Sequence, residues 1–177
     1  MLKSKKQNKN KLVGYFQHGK VIVENGISLY NKGYFGEMKK NILELSYCEA
    51  LYLMEKGKLE IKDRLPLSVI GFARKAKSVD PRFWIRYTVY SDIRSRGYIV
   101  KEALKYGADF LVYDKGDIPG KQHSKYLLFA VDSNDELNWR WFAGINRIAH
   151  GVKKEVLIGL VDEQGDVTYY LSKWMRP

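Results

Sequence analysis

The chain has 177 residues, of which 45% are hydrophobic, so it can bury the core of one ordinary domain or of two small ones. Its 31 lysines and arginines against 20 acidic residues leave a net charge of +11, which favours a polyanionic partner such as a nucleic acid. The single cysteine, Cys48, excludes an internal disulfide framework.

The first residues form a basic arm, residues 1–11, which leads into no long apolar segment and so does not have the pattern of a secretory signal. No apolar run in the chain approaches the about 18 residues that a membrane span needs. We therefore expect a soluble, cytoplasmic protein with no membrane partner.

Three short apolar runs follow the arm and predict a small β-meander: residues 12–16, 20–24 and 26–29. The dipeptides His18-Gly19 and Asn25-Gly26 separate these runs, and both are typical of tight turns.

A helix is predicted next, because Ser46 followed by Glu49 has the spacing of a capping box. We expect an edge strand over residues 58–62 and a second helix over residues 66–77. The pattern of residues 1–79 therefore predicts a small mixed α+β domain without evident chemistry of its own.

Pro81 is placed as the first residue of a new helix, so we put the domain boundary just before it and assign residues 80–177 to a second domain. Its predicted elements are a helix over 81–96, strands over 98–101, 108–113 and 124–131, a helix over 138–152, and strands over 155–161 and 167–174. A central mixed sheet with a helix on each face is the economical packing for this order.

Tyr113 ends one predicted strand and His123 begins the next, with a polar loop between them. A hairpin brings these two positions together, and a phenol and an imidazole can both carry protons without a metal. Spacing alone leaves a second interpretation open, in which both are surface residues at the edges of a loop.

Lys154 occupies a comparable place, where the helix over 138–152 gives way to a strand. Its neighbour Lys153 is equally basic, and the pattern does not separate the two. We interpret His18, in a turn, and His150, near a helix end, as structural residues. No zinc-ligand spacing, Gly-rich phosphate loop or nucleophile elbow occurs.

Three longer runs carry a family resemblance: YSDIRSRGYIVKEALKYGADFLVYDKG, HSKYLLFAVD and RIAHGVKKEVLIGLVDEQGDVTYYLSKW. Together they make residues 84–177 resemble the archaeal tRNA-splicing endonuclease family, and LSYCEALYLMEKGKLEI resembles a part of that family's smaller N-terminal domain. The resemblance implies a two-domain fold whose second domain is a mixed, restriction-endonuclease-like sheet flanked by helices.

The resemblance also implies a catalytic subunit, with Tyr113, His123 and Lys154 as its catalytic residues. Members of the family cut RNA without an obligatory metal or other cofactor, using the RNA's own 2′-hydroxyl as nucleophile. By this resemblance Tyr113 is the general base, His123 the general acid, and Lys154 the group that stabilises the phosphorane and lowers the pKa of Tyr113.

The implied substrate is precursor tRNA with a bulge–helix–bulge at its exon–intron junctions. Arg147 and Arg176 match the arginines that sandwich a flipped bulge base in relatives. Asp132, Asp135 and Glu136 stand in the loop that we match to the acidic docking loop of the family. Both a homotetramer and a heterotetramer with a structural subunit occur among relatives, so either assembly is expected.

Two further interpretations come from other classes. One is a noncatalytic RNA-binding subunit, against which the presence of all three catalytic residue types counts. The other is a metal-dependent DNA nuclease, for which Asp109 and Glu155 are the candidate Mg²⁺ ligands. Sensitivity to a chelator distinguishes it from the metal-independent RNA endonuclease.

Overall fold

A computed structural model describes residues 11–175, and these fall into two compact units, divided between Asp80 and Pro81. The described residues form five α-helices and two β-sheets. This mixed α and β architecture confirms the predicted fold class. Within residues 11–175, no helix has the length and apolar character needed to cross a membrane.

The first unit is a six-stranded sheet, with strand order β3-β4-β2-β1-β5-β6, and three helices. Its elements in chain order are β1 (Leu12–Gln17), β2 (Lys20–Glu24), α1 (Ile27–Gly33), β3 (Glu37–Lys39), β4 (Ile42–Leu45), α2 (Tyr47–Glu55), β5 (Leu59–Asp63), β6 (Leu65–Leu67) and α3 (Val69–Val79).

The capping box at the start of α2 is present. The backbone N–H of Glu49 donates to Ser46 Oγ (3.3 Å), and the backbone N–H of Ser46 donates to Glu49 Oε2 (2.9 Å). The other carboxylate oxygen of Glu49 accepts from the backbone N–H of Gly36 (2.7 Å), so this buried side chain also holds the chain before β3.

The predicted strand over residues 26–29 is wrong, because α1 begins at Ile27. The carbonyl oxygen of Gly26 accepts from the backbone N–H groups of Leu29 (3.0 Å) and Tyr30 (3.2 Å), which starts the helix. A Cβ on Gly26 would come within 2.7 Å of Leu43, so only glycine allows this close approach. Tertiary packing thus outweighs the local β pattern.

Two further expectations in the first unit need correction. The strand predicted over residues 58–62 is β5, and it is not an edge strand, because it pairs with β1 on one side and β6 on the other. The helix predicted from residue 66 begins only at Val69, with Ser68 as its cap, since Leu65–Leu67 forms the edge strand instead.

The second unit is a five-stranded mixed sheet with strand order β11-β10-β9-β8-β7. Its elements are α4 (Phe83–Ser95), β7 (Ile99–Glu102), a single 3₁₀ turn (Leu104–Tyr106), β8 (Phe110–Tyr113), β9 (Tyr126–Asp132), α5 (Trp139–Gly151), β10 (Glu155–Val161) and β11 (Val167–Ser172). The central pair β9 and β10 is parallel, and the other neighbours are antiparallel.

Helix α4 packs on one face of this sheet. The ring of Tyr90 lies 5.5 Å from that of Phe110, and a Cβ on Gly159 would come within 2.7 Å of Val89, so glycine lets α4 approach β10 closely. Helix α5 covers the other face, because its Ile145 belongs to the cluster that contains Leu127 of β9.

Beneath α4, Asp109 anchors the start of β8. This residue is 6% exposed, and its carboxylate accepts from the backbone N–H of Ala130 (2.9 Å) and pairs with Arg82 (3.3 Å) and Arg86 (3.1 Å). A buried carboxylate needs such partners. Its contacts with Ala130 and the two arginines connect α4, β8 and β9.

Candidate active site

The strand register puts Tyr113 and Lys154 in one row at one edge of the second sheet. Val112 of β8 is paired with Tyr126 of β9, which is paired in turn with Glu155 of β10. The next row toward the edge of the sheet therefore contains Tyr113, Lys125 and Lys154. We call these three residues the edge row.

The three positions of the edge row fall on the sheet face that α5 covers, although the Lys125 ammonium is directed to Asp114 (2.9 Å) and to the Tyr126 ring (5.2 Å to its centroid). Two positions inward on the same three strands, Leu111, Leu127 and Val156 lie opposite one another and pack in the cluster beneath α5. Because side chains alternate along a strand, residues two positions apart share a face. The edge row therefore continues the core face outward to solvent.

Lys154 reaches this position through a tight helix ending. Val152 closes α5, and Lys153 adopts a left-handed conformation (φ 56°), which non-glycine residues take at a cost in free energy. The backbone N–H of Lys154 then donates to the carbonyl oxygen of Ala149 (2.8 Å), and Glu155 starts β10. The two lysines that the sequence left equivalent therefore have different surroundings.

The Lys154 ammonium is half-buried and donates to the backbone carbonyl oxygen of Ser124 (2.7 Å). Burial lowers the pKa of Lys154 below its ordinary value, and the nearby Lys105 cation acts in the same direction, whereas Tyr106 opposes it. The ammonium is held by one backbone oxygen and keeps further N–H groups for an anionic ligand.

Tyr113, also half-buried, ends β8. Burial raises the pKa of its phenol above the ordinary value, and the nearby Tyr106 phenol adds to the increase. The expectation that Lys154 lowers the pKa of Tyr113 stays a prediction, because the net rise in the RNA-free protein comes from burial. At neutral pH the edge row therefore holds a neutral phenol on β8 and, two strands away, the half-buried Lys154 side chain.

His123 lies in the loop that joins β8 to β9, and its side chain is exposed. The loop is closed by a 2.9 Å ion pair between Lys125 Nζ and Asp114 Oδ2, and by the Gln122 side chain, which accepts from the backbone N–H of Ile118 (2.7 Å). The residue after His123 is Ser124, whose carbonyl oxygen binds Lys154. The fold therefore ties the His123 segment directly to the edge row.

A cavity of about 610 Å³ lies between the last turn of α5 and the segment after β11. Its lining residues are Arg147, His150, Gly151, Trp174 and Met175. The rings of His150 and Trp174 lie 4.4 Å apart between centroids, so they form an aromatic wall next to the exposed guanidinium of Arg147. Arg176 lies outside the described residues.

A second, smaller cavity of about 280 Å³ connects this wall with the edge row. Its lining residues are Asn146, Ala149, His150, Lys153, Lys154, Glu155, Val156, Ser172, Lys173 and Trp174. Because Lys154, His150 and Trp174 all line this cavity, Lys154 of the edge row and the aromatic wall lie on one continuous surface.

The three acidic residues at the end of β9 and in the loop after it are not equivalent. Asp132 Oδ1 accepts from the backbone N–H of Asn134 (2.9 Å), and Asp135 Oδ2 accepts from that of Asp132 (3.2 Å), so these two carboxylates cap their own turn. Glu136 is exposed in the same loop. Another acidic turn, with Asp162, Glu163 and Asp166, joins β10 to β11.

The two carboxylates suggested as magnesium ligands have other partners. Asp109 is paired with two arginines, and Glu155 pairs with Lys173 (2.8 Å). In the described part of the chain, no group of three or more His, Cys, Asp or Glu side chains is arranged to hold a metal ion. The donor set therefore does not fit the nuclease interpretation that needs Asp109 and Glu155 as ligands.

Comparison with known families decides the relationship. The family described as tRNA intron endonuclease, catalytic C-terminal domain, matches residues 83–169, and its N-terminal domain matches residues 13–71. The tRNA-splicing endonuclease of Methanothermobacter thermautotrophicus is 42% identical over 150 residues, covering 84% of this chain and 87% of the relative. The chain belongs to the tRNA intron endonuclease family.

Other relatives agree. The tRNA-splicing endonuclease of Thermococcus kodakarensis is 41% identical over 86% of this chain and 90% of its own length, and that of Pyrococcus furiosus is 42% identical over 82% and 84%. The family resemblance drawn from the sequence is thereby confirmed, together with the expectation of an RNA-cleaving enzyme of tRNA splicing.

Two members of the site were missed in the sequence. Lys125 stands in the edge row, but only the strand register reveals that it lies between Tyr113 and Lys154. Trp174 was interpreted as the end of the last strand, whereas β11 ends at Ser172 and the indole instead meets His150. A tryptophan next to a lysine was the available signal in the sequence.

Proposed function

We propose that this protein cleaves precursor tRNA at bulge–helix–bulge exon–intron junctions by a metal-independent transesterification. The observation that carries the proposal is the edge row, which holds a half-buried tyrosine and, two strands away, a half-buried lysine that binds the backbone next to a histidine. Family membership supports the substrate class.

In the proposed reaction the RNA supplies its own nucleophile. The 2′-hydroxyl gives its proton to Tyr113, its oxygen bonds to the adjacent phosphorus, and the bond from phosphorus to the 5′-oxygen breaks as His123 protonates that oxygen. The products are a 2′,3′-cyclic phosphate and a 5′-hydroxyl, so no water and no electrons are consumed. Lys154 stabilises the extra negative charge on the phosphorane.

Because the pKa of Tyr113 is raised, the site must favour ionisation of the phenol before Tyr113 can act as a base. The phenol is mostly neutral in the free protein, so the reactive form, with an ionised phenol and a protonated lysine, is a minor one. The Lys154 ammonium in the same row favours this form when water is displaced by substrate, since charges interact more strongly in a drier site.

The cavity beside Arg147 supports recognition of an unpaired base. A purine or pyrimidine has the flat shape and apolar faces that match the aromatic wall of His150 and Trp174, and a guanidinium can stack on such a base. We propose that a bulge nucleotide occupies this cavity, with Arg147 on one side of the base and Arg176 as a further contact.

Two cuts at a fixed separation need two active sites, which supports an assembly of several subunits. Strand β11 is an edge strand of the second sheet, and Tyr170 (55% exposed) and Leu171 (50%) offer apolar surface on it. We propose that subunits pair along this strand and that the acidic loop with Asp132, Asp135 and Glu136 docks on a neighbour. The assembly is a homotetramer or a heterotetramer and works in the cytoplasm.

The deciding experiment uses the purified protein alone with an end-labelled, intron-containing precursor tRNA in EDTA. We expect cleavage at both junctions, cyclic-phosphate and 5′-hydroxyl ends, and a tetrameric mass. Cleavage that requires Mg²⁺ would overturn the metal-independent mechanism. Cleavage only after addition of a second subunit from the same cell would establish the heterotetramer. If Tyr113→Phe then left cleavage by that complex unchanged, this chain would be the noncatalytic subunit.

A further inference from the structure

The end of strand β11 is tied to helix α5 by a hydrogen bond between two side chains. Ser172 Oγ, on the last residue of β11, donates to Asn146 Oδ1 (2.8 Å). Asn146 is 6% exposed, and its amide nitrogen donates to the carbonyl oxygen of Phe142 (2.9 Å), one turn earlier in α5. A buried amide is costly unless its polar atoms have partners, and here the oxygen has its partner outside the helix. Asn146 therefore joins α5 to the point at which the chain leaves the sheet.

The strand register relates Ser172 to the edge row. Ser172 pairs with Val156 of β10, and Val156 lies two positions inward of Lys154. The same antiparallel register, continued by two residues, brings Trp174 opposite Lys154, because residues two positions apart on a strand share a face. In agreement with this placement, the smaller cavity is lined by Lys154 and Trp174 together with Ser172 and Asn146.

The two residues that follow Ser172 have partners of their own. Lys173 pairs with Glu155 at the start of β10 (2.8 Å), and the Trp174 ring lies 4.4 Å from the ring of His150 between centroids. The indole is nevertheless 43% exposed, so part of its surface is open to a ligand. Three successive residues thus attach the end of β11 to α5 and β10, and they support an aromatic surface that is in place before RNA binds.

We propose that Asn146 and Ser172 are positioning residues for the aromatic wall. Their hydrogen bond holds the end of β11 so that Trp174 stays against His150 and faces an unpaired base in the cavity beside Arg147. A wall that is ordered in the free protein binds a base more tightly, because less conformational entropy is lost on binding. The inference deepens the proposed function and rests on it, and neither residue transfers a proton in the cleavage step.

A purely structural role for this hydrogen bond has different consequences. It would lower the stability of the second unit when the bond is removed, yet the folded protein would still bind a bulge as well as before. Selective binding of a bulge, and its dependence on Trp174, therefore distinguish a positioning role from a structural one.

The test uses the full-length protein with three variants at the bond. Ser172→Ala removes the hydroxyl donor, Asn146→Leu removes the acceptor at a similar side-chain volume, and Ser172→Thr keeps the hydroxyl and adds a methyl group at the edge of the smaller cavity. The matched control is Ser95→Ala in α4, because Ser95 Oγ also donates a short hydrogen bond, to the carbonyl oxygen of Asp92 (2.7 Å).

Affinity is measured for an RNA with 2-aminopurine in a bulge and for a fully paired duplex. We expect Ser172→Ala and Asn146→Leu to weaken binding of the bulge RNA by about fivefold, the size of one net hydrogen bond, and to leave duplex binding unchanged. Stacking of the 2-aminopurine, read from its fluorescence, decreases in both variants. Ser172→Thr restores the wild-type affinity, and Ser95→Ala does not change it.

A double-mutant cycle with Trp174→Ala tests whether the bond acts through the indole. We expect Ser172→Ala to cause no further loss of bulge binding in the Trp174→Ala protein, because the wall that it positions is already absent. At saturating protein, single-turnover cleavage of precursor tRNA by Ser172→Ala should stay within about twofold of the wild type, since the lost interaction is one of binding.

Wild-type affinity for the bulge RNA in Ser172→Ala, equal weakening for bulge and duplex, or a loss that persists undiminished beside Trp174→Ala would each overturn the inference, even if the wild type cleaves RNA normally. A selective loss that depends on Trp174, in a protein that leaves precursor tRNA uncut, would sink the proposed function and leave the positioning role intact. The two failures are therefore distinguishable.

Discussion

The Lys154 ammonium donates a 2.7 Å hydrogen bond to the backbone carbonyl oxygen of Ser124, the residue directly after His123. This bond joins the start of β10 to the loop before β9, which are far apart in the sequence. It places a cation, rather than a neutral donor, next to the segment that carries the imidazole. A backbone oxygen as partner leaves the positive charge uncompensated and available to a phosphate.

The first prediction concerns this lysine. Lys154→Met removes the charge and the bond to Ser124, so we expect cleavage to fall by about 10²–10³-fold, the size of losing one transition-state donor. The free energy of unfolding falls by only about 1 kcal/mol, because one half-buried hydrogen bond is lost. Single-turnover cleavage and urea denaturation measure the two effects, and Lys154→Arg should recover part of the rate.

Lys153 provides the matched control, since it is the adjacent residue and has the same charge. Lys153→Met should affect cleavage only slightly. Lys153→Gly should raise the free energy of unfolding by about 1 kcal/mol, because glycine relieves the left-handed backbone (φ 56°). If Lys153→Met abolished cleavage while Lys154→Met did not, the assignment of the two lysines would be reversed.

The second prediction concerns the pH dependence of cleavage. Tyr113 acts as a base when ionised, and its pKa is raised, so its ionised fraction grows about tenfold per pH unit through neutral and mildly alkaline pH. A general acid must carry its proton, which works against this rise, so the rate of the wild type should change less with pH than that of a variant without the acid. It should decline at higher pH as Lys154, whose pKa is lowered, loses its proton.

His123→Gln separates these contributions. Without the imidazole, the rate at neutral pH is lower and should rise about tenfold per pH unit, because ionisation of Tyr113 alone governs it. Tyr113→Phe should be slow at every pH and show no such rise. A rising rate in Tyr113→Phe combined with His123→Gln would assign the base to another group.

The third prediction separates stability from metal chemistry at Asp109. Asp109→Asn should lower the free energy of unfolding by about 3 kcal/mol, since it leaves two arginines without their shared buried carboxylate. Thermal unfolding measures the loss. Glu155→Gln removes the more exposed pair with Lys173 and should cost no more than about 1 kcal/mol. Chelator-sensitive cleavage by the wild type would contradict this structural role.

The fourth prediction tests the docking loop. Lysine in place of Asp132, Asp135 and Glu136 together should reduce the oligomer mass measured by light scattering and reduce cleavage in parallel. The matching set in the turn between β10 and β11 is Asp162, Glu163 and Asp166. If lysines in the second set dissociated the oligomer while lysines in the first set did not, the docking loop would lie between β10 and β11 instead.

The fifth prediction concerns the aromatic wall. Arg147→Ala and Trp174→Ala should each weaken binding of a bulge-containing RNA by about 1–3 kcal/mol, as expected for the loss of one stacking contact. Binding of a fully paired duplex should change far less. A 2-aminopurine base in the bulge reports stacking directly through its fluorescence, and equal weakening for both RNAs would argue for a phosphate contact instead.

Local signals in the sequence were sufficient for much of this molecule. The capping box of Ser46 and Glu49 predicted the start of α2, and helical and strand periodicity predicted α5 and β10 closely, because these patterns act within one turn or one strand. The family resemblance was equally accessible, since the motifs around Tyr113, His123 and Lys154 lie in continuous runs. It supplied the chemistry, which spacing alone left open.

Tertiary structure decided the rest. A β-like run became α1 because Gly26 packs against Leu43, and a strand taken for an edge proved internal because β6 pairs beyond it. Lys153 and Lys154 cannot be distinguished in the sequence, yet Lys153 has the left-handed backbone conformation and Lys154 binds the carbonyl oxygen of Ser124. The neighbours of each group come from distant segments, and burial by those segments sets the pKa of Tyr113 and Lys154, so neither property is encoded in local pattern.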